Sequence, residues 1–165
     1  MLNKIALIKL LSLSIILLPL RLFSFPAPEF SSVESADENV RSISFAKEGW
    51  RLAYPFLQPG SGDELTLSFD LIDSNGGTLW YYITHCDREW NRSDLFTSDY
   101  LEGYEENQIT EFSPSFNTKV NYTHYSLTLP NGDIRFLVSG NYVITVWDAG
   151  EPDKPLLVRR FYISE

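Results

Sequence analysis

Hydrophobic and polar residues alternate along most of the chain after residue 40, which is the pattern of β-strands that bury one face. Residues 65–70 read Leu-Thr-Leu-Ser-Phe-Asp, and residues 122–129 alternate in the same way. Short clusters of Gly, Pro, Asn and Asp separate such stretches and predict turns. The predicted strands are 40–45, 50–54, 65–70, 78–86, 108–116, 122–129, 141–147 and 156–163.

About eight short strands with turns at close intervals predict an all-β fold, specifically an immunoglobulin-like β-sandwich. The stretch Ser139-Gly140-Asn141-Tyr142 precedes an apolar strand and is typical of a late strand in such a sandwich. At this position Tyr142 is predicted to place its hydroxyl on a neighbouring loop, as a tyrosine corner does.

One segment, residues 87–107, breaks the alternation and combines polar residues with large aromatic ones. A connection of this length usually carries function or folds against its domain, and we predict a helical turn in it, capped by Ser93 or Asp94. Protein interfaces favour Tyr and Trp, so the rings of this segment are candidate contacts. The alternative is that they fold down and cover the end of the sandwich. The candidate partner-binding residues are Trp90, Phe96, Tyr100 and Tyr104.

The N-terminus reads as a secretory signal. Two lysines are followed by an apolar run at residues 10–20, about half of the length that a membrane-spanning helix needs. We predict a signal peptide over residues 1–24, a flexible Ser- and Pro-rich leader over 25–39, and the sandwich domain over 40–165. The alternative to cleavage after Ser24 is an uncleaved anchor. The signal predicts an exported protein.

The acidic composition narrows the set of partners. The 165-residue chain carries 22 acidic and 13 basic residues, a formal net charge of −9. Such a charge repels phosphate backbones and anionic lipid, so nucleic acid and membrane surfaces are disfavoured as partners. The single cysteine, Cys86, makes an intramolecular disulfide impossible, so stability has to come from the core.

The sequence His85-Cys86-Asp87 invites a catalytic interpretation that the strand pattern does not support. Neighbours on a strand point to opposite faces, so His85 cannot serve Cys86 as a base. A Cys86–His124 dyad, and a metal site of His85, Asp87 and His124, stay open as alternatives without supporting geometry. We therefore predict no enzymatic activity, no metal and no cofactor, and we interpret Cys86 as a buried thiol.

Several motifs, taken together and in order, resemble the N-terminal domain of the plug protein of the type IX secretion system. The resemblance spans about residues 40–165. The residues that carry it are 82–90, Ser93, Leu95, 100–104, 115–118, 122–125, 129–131, 139–142 and 159–162.

This resemblance implies a bacterium of the Bacteroidetes type and a periplasmic protein associated with the outer membrane. It implies that the protein closes the periplasmic mouth of a very large translocon barrel, with no membrane span of its own and no catalytic residues. Members of the family usually continue beyond the Arg-Arg-Phe strand, whereas this chain stops at Glu165. We expect a truncated or split form, or a short relative.

Two other functions compete with the plug. A carbohydrate-binding sandwich module would use Trp90 and Tyr100 as an aromatic platform for a sugar ring. A hydrolase would use Cys86 and His124.

Overall fold

The computed structural model describes residues 27–47, 50, 53–74 and 76–164. The predicted signal peptide lies outside the described residues. Nearly all regular structure is β, because alternating side chains suit sheets with one face toward a core. In chain order the elements are β1 (Ser35–Ala36), β2 (Val40–Lys47), β3 (Phe56–Leu57), β4 (Leu65–Ile72), β5 (Leu79–Cys86), α1 (Thr97–Tyr100), β6 (Leu101–Gly103), β7 (Glu106–Ile109), β8 (Glu111–Pro114), β9 (Tyr122–Leu129), β10 (Ile134–Phe136), β11 (Gly140–Asp148) and β12 (Pro155–Ile163).

These strands form two main sheets that pack face to face. Sheet one has the order β1-β12-β11-β5-β7, with β3 also paired to β12, and sheet two has the order β2-β4-β9-β8. A separate two-stranded pair joins β6 to β10. Each sheet has three long neighbouring strands followed by a four-residue strand, β7 in sheet one and β8 in sheet two. Together with the crossing from sheet one to sheet two between β7 and β8, this makes an immunoglobulin-like arrangement. The predicted all-β sandwich is confirmed.

The core lies between the two sheets and is rich in aromatic rings. Phe69 of β4 stacks on Tyr125 of β9 with ring centroids 5.4 Å apart, and Tyr142 of β11 lies 5.4 Å from Phe161 of β12. Each such fully buried side chain contributes about 2–3 kcal/mol by leaving water. These alternating inward positions are what the sequence pattern predicted.

The predicted tyrosine corner is confirmed. The Tyr142 hydroxyl donates a 2.7 Å hydrogen bond to the backbone carbonyl of Val138, four residues upstream. The ring is fully buried, and burial raises the pKa of the phenol far above its ordinary value, so the hydroxyl keeps its proton. This bond ties the loop before β11 to the start of that strand.

Two predicted strands differ from the structure. Among the described residues of 50–54, Trp50, Ala53 and Tyr54 are not in a strand, and the pairing falls instead on β3. The single strand predicted at 108–116 is two strands, since β7 pairs with β5 while β8 pairs with β9. The chain changes sheets at Thr110 between them, and an alternating pattern carries no information on such a change.

The outer face of sheet one is covered by residues 27–37, which we call the N-terminal strap. The Tyr82 hydroxyl donates to the Pro28 carbonyl at 3.1 Å, and the Arg160 Nε donates to the Ser32 carbonyl at 2.8 Å. At its end the strap includes β1, which pairs antiparallel with Leu157 and Val158 of β12.

The prediction of a flexible leader over 25–39 does not account for these contacts. The physical reason is a second, small apolar cluster on the outer face of sheet one, formed by Cys86, Val143 and Val158. Phe30 of the strap packs against this cluster and removes it from water.

Candidate functional site

The connection from β5 to β7, residues 87–105, begins with a tight turn organised by Asp87. Its carboxylate accepts hydrogen bonds from the backbone N–H groups of Glu89 and Asn91, both at 2.9 Å. Burial opposes the charge, but these bonds and those of the Asn91 side chain outweigh it and hold the pKa of Asp87 below its ordinary value. The turn places Trp90 at φ +67°, a conformation that non-glycine residues rarely adopt.

Trp90 uses this turn to lie on the outer face of sheet one. Its ring packs against the cluster of Cys86, Val143 and Val158. The Arg160 guanidinium carbon lies 4.2 Å from the Trp90 ring centroid, and the Tyr162 ring meets it edge-on at 5.4 Å. Trp90 is therefore engaged within the domain from several sides.

His85 and Ser93 hold the connection to the end of β5. The His85 Nδ1 and the Ser93 hydroxyl lie 2.9 Å apart, and the Ser93 N–H donates to the His85 carbonyl at 3.0 Å. A Cβ on Gly140 would lie 2.3 Å from His85 Nε2, so the ring occupies space that only glycine leaves open. These contacts give His85 a structural role.

Phe96 precedes the four-residue helix α1 and is largely exposed. Its N–H donates to the Asp99 carboxylate at 2.9 Å, while the Asp99 N–H donates to the Phe96 carbonyl. The predicted helical turn is present, but Phe96 stands at its N-cap position, not Ser93 or Asp94. The Phe96 side chain is 79% exposed, which is high for so large an apolar ring.

Tyr100 faces inward and is only 3% exposed. Its hydroxyl donates to the Ile83 carbonyl of β5 at 3.2 Å, and its own carbonyl accepts from the Leu137 N–H at 2.9 Å. A buried ring cannot contact a partner, so Tyr100 leaves the set of candidate contacts. It anchors α1 to the sandwich.

Tyr104 follows β6 and is 75% exposed. The backbone before it is fixed, because β6 pairs with β10 and a Cβ on Gly103 would lie 1.9 Å from the Asp133 carbonyl oxygen. Behind it, the Asn107 side chain donates to the Tyr104 carbonyl at 2.9 Å. The exposed ring thus stands on a rigid support.

A cleft of about 380 Å³ is lined by the chain neighbours of the two exposed rings, Thr97 after Phe96 and both Gly103 and Glu105 beside Tyr104. It is also lined by a residue that the sequence did not suggest. Leu137, in the loop after β10, is exposed and lines this cleft. It is distant in sequence and reaches the site only through the β6–β10 pairing. We call Leu95, Phe96, Tyr104, Glu105 and Leu137 the aromatic ridge. The cleft is lined by Thr97, Ser98, Leu101, Glu102, Gly103, Glu105 and Leu137.

The segment that carries most of the aromatic ridge is acidic. Between residues 92 and 106 the chain has five acidic residues and one basic residue, Arg92. Burial and the neighbouring charge of Glu105 raise the pKa of Glu106 above its ordinary value. Within the described residues, neither of these two glutamates forms an ion pair, whereas Glu102 is paired with Arg135.

The residues proposed for catalysis are far apart. His124 lies on the outer face of sheet two, where its Nδ1 is 2.7 Å from an Asp70 carboxylate oxygen. Cys86 lies on the outer face of sheet one, so the core separates the two, and burial raises the pKa of its thiol to about 11. In the part of the chain that the structure describes, no three His, Cys, Asp or Glu side chains are grouped to hold a metal.

The carbohydrate platform is not formed either. Tyr100 is buried, and Arg160 lies over the ring of Trp90, so the two do not present an exposed pair of ring faces.

The comparison that decides the family is a match to the model of the type 9 secretion system plug protein 1st domain, over residues 40–165. The chain belongs to this family. The resemblance seen in the sequence is confirmed, and the family suggests a non-enzymatic role linked to type IX secretion. Its plug domain has no helix among the described residues that is long and apolar enough to cross a membrane.

A solved structure with the same fold is a hypothetical protein from Parabacteroides merdae ATCC 43184, at a TM-score of 0.77 and 27% identity. The match covers 83% of this chain and 35% of that one, so this chain spans about a third of its solved relative's length. An alkylpurine DNA glycosylase of Pseudomonas fluorescens aligns at a TM-score of 0.37 and 14% identity, too low to carry any argument. No curated protein matches the sequence.

Proposed function

We propose that this plug domain is a non-enzymatic periplasmic subunit of the type IX secretion system, and that it closes the periplasmic opening of the outer-membrane translocon barrel. The observation that carries this proposal is the family match over residues 40–165. The signal peptide predicted at residues 1–24 supplies the export that a periplasmic subunit needs.

The physical properties of the domain suit a closure. A barrel wide enough to pass folded proteins has to be sealed when idle, and a close-packed sandwich deforms little under load. The net charge of −9 disfavours loose adsorption to anionic lipid, so specific contacts have to hold the domain in place.

The contacts that we propose are on the aromatic ridge. Phe96 and Tyr104 remain from the residues predicted in the sequence, because both rings are exposed. Trp90 and Tyr100 hold the backbone near these rings. Trp90 packs the turn after β5 onto sheet one, and Tyr100 anchors α1 to β5.

A gene deletion tests the proposal. Cells that lack this protein should become sensitive to large antibiotics normally kept outside, and the sensitivity should vanish when the translocon gene is deleted as well. The full chain supplied from a plasmid is the control and should restore exclusion.

If the deletion strain excludes these antibiotics as effectively as its parent strain, the proposed plug function is contradicted. Co-purification then separates the remaining possibilities. An accessory subunit would still be recovered with the outer-membrane translocon, whereas a protein outside this system would not.

A further inference from the structure

The aromatic ridge keeps its rings in water although its backbone is held firmly. The Tyr100 hydroxyl bonds to β5, and the Leu137 N–H bonds back to the Tyr100 carbonyl. Exposed rings on a mobile loop are able to fold down when free, whereas rings on a pinned backbone stay presented. Such preorganisation lowers the entropy cost of binding.

The charge of the ridge indicates the chemistry of its partner. Glu105 lines the cleft with Leu137 and also lines a second cleft of about 210 Å³, together with Glu106 and Arg92. Two adjacent glutamates without an ion pair in the described residues repel each other, and a cation bound beside Glu105 would relieve that repulsion. Aromatic faces next to carboxylates also attract Lys and Arg through cation–π contacts.

We infer that the aromatic ridge binds a partner protein segment that carries Lys or Arg, with its apolar part against Phe96 and Leu137 and its cation between Tyr104 and Glu105. This inference rests on the proposed function, in which the partner is the translocon. It adds that the docking segment of the translocon is basic.

Two exposed residues of sheet two and its β8–β9 loop provide matched controls. Phe116 lies between β8 and β9 and is 90% exposed, so truncating it removes the same ring from a site outside the ridge. Glu111 on β8 is an exposed glutamate and serves the same purpose for a charge reversal.

The test measures retention of the detergent-solubilised translocon complex by the immobilised full chain, over a series of salt concentrations. The wild-type chain should retain the complex best at low salt, because screening weakens a charge-assisted contact. Phe96→Ala should weaken binding by about thirtyfold, as truncation of an interface anchor does. Glu105→Lys should weaken it as well and reduce its salt dependence, while Phe116→Ala and Glu111→Lys should bind as wild type.

The possible results separate the inference from the function on which it rests. Equal retention by all variants, or tighter binding by Glu105→Lys, would overturn the basic partner segment and leave the plug intact. No retention by the wild-type chain at any salt would contradict the proposed function and the inference together. Melting curves of the four variants check that each is folded, as expected for exposed positions.

Discussion

The outer faces of the two sheets differ in polarity. On sheet two the outer face is polar, with Thr66 bonded to Thr128 and Asp70 to His124. On sheet one the outer face is apolar, and the N-terminal strap and Trp90 cover it. A sheet that faces water needs polar positions, whereas a sheet buried on both sides needs a second set of apolar ones.

This difference shows that sheet one is the structural centre of the molecule. It receives the strap on one side, the main core on the other, and the anchoring bond of Tyr100 at β5. The aromatic ridge is therefore mounted on the sheet that is held from both faces.

The largest predicted difference comes from removing one outward-facing ring from each sheet and comparing the loss of stability. Trp147 of β11 is almost fully buried on the outer side of sheet one, whereas Tyr122 of β9 points outward from sheet two and is only half-buried. Trp147→Ala should cost about 3–5 kcal/mol of unfolding free energy, because it leaves a large cavity. Tyr122→Ala should cost about 1 kcal/mol or less. Urea unfolding followed by circular dichroism measures the unfolding free energy of both variants. An equal loss in the two variants would contradict the difference between the sheets.

A smaller effect should follow from loosening the strap. Phe30→Ala removes the half-buried ring over Cys86 and should cost about 1–2 kcal/mol. Since the covering then opens more often, alkylation of Cys86 at pH 8 should become about five- to thirtyfold faster. Phe116→Ala, on the sheet-two side, should leave the alkylation rate unchanged. An unaltered rate in Phe30→Ala would mean that the strap does not guard the thiol.

The smallest effect concerns the ion pair between Lys154 and Asp37 at the end of the strap. The hydrogen bond from Lys154, aided by the Asn39 N–H, holds the pKa of Asp37 below its ordinary value of 3.8. A lowered carboxyl pKa stabilises the folded protein above pH 3.8, and that stabilisation is lost as the pH falls through the lowered value.

Melting temperatures of the wild type and Lys154→Met should therefore differ at pH 6 and converge as the pH falls below 3.8 and through the lowered pKa of Asp37. Lys119→Met, in the loop on the sheet-two side, should show no such convergence. A difference between wild type and Lys154→Met that persists at low pH would assign the effect to packing of the lysine stem instead.

Much of the sandwich follows from the sequence, because period-two alternation directly reports which positions face the core. Tyr142 was identified by its place before an apolar strand, and its hydroxyl bond to Val138 is present. The N-terminal strap was not predicted. Its Ser- and Pro-rich composition does not reveal that backbone carbonyls, such as that of Ser32, accept hydrogen bonds from sheet one.

The candidate contacts were only half predictable for a similar reason. Composition identified an aromatic segment, but the direction of each ring depends on local turns. The short helix α1 turns Tyr100 inward and leaves Phe96 outside, and the β6–β10 pairing brings Leu137 from far along the chain. Neither feature leaves a periodic signal.

The free margins of the sheets also affect behaviour in concentrated solution. Unpaired strand margins tend to pair with other molecules and start aggregates. In sheet one, β12 is masked by β1 and β3, and the opposite margin, β7, has only four residues. In sheet two, β2 carries a bulge between Arg41 and Ser44, and β8 is short and ends at Pro114, which has no N–H to donate. Such margins offer few free backbone groups for strand pairing with a second copy. The domain should therefore remain monodisperse at the high protein densities of a crowded compartment.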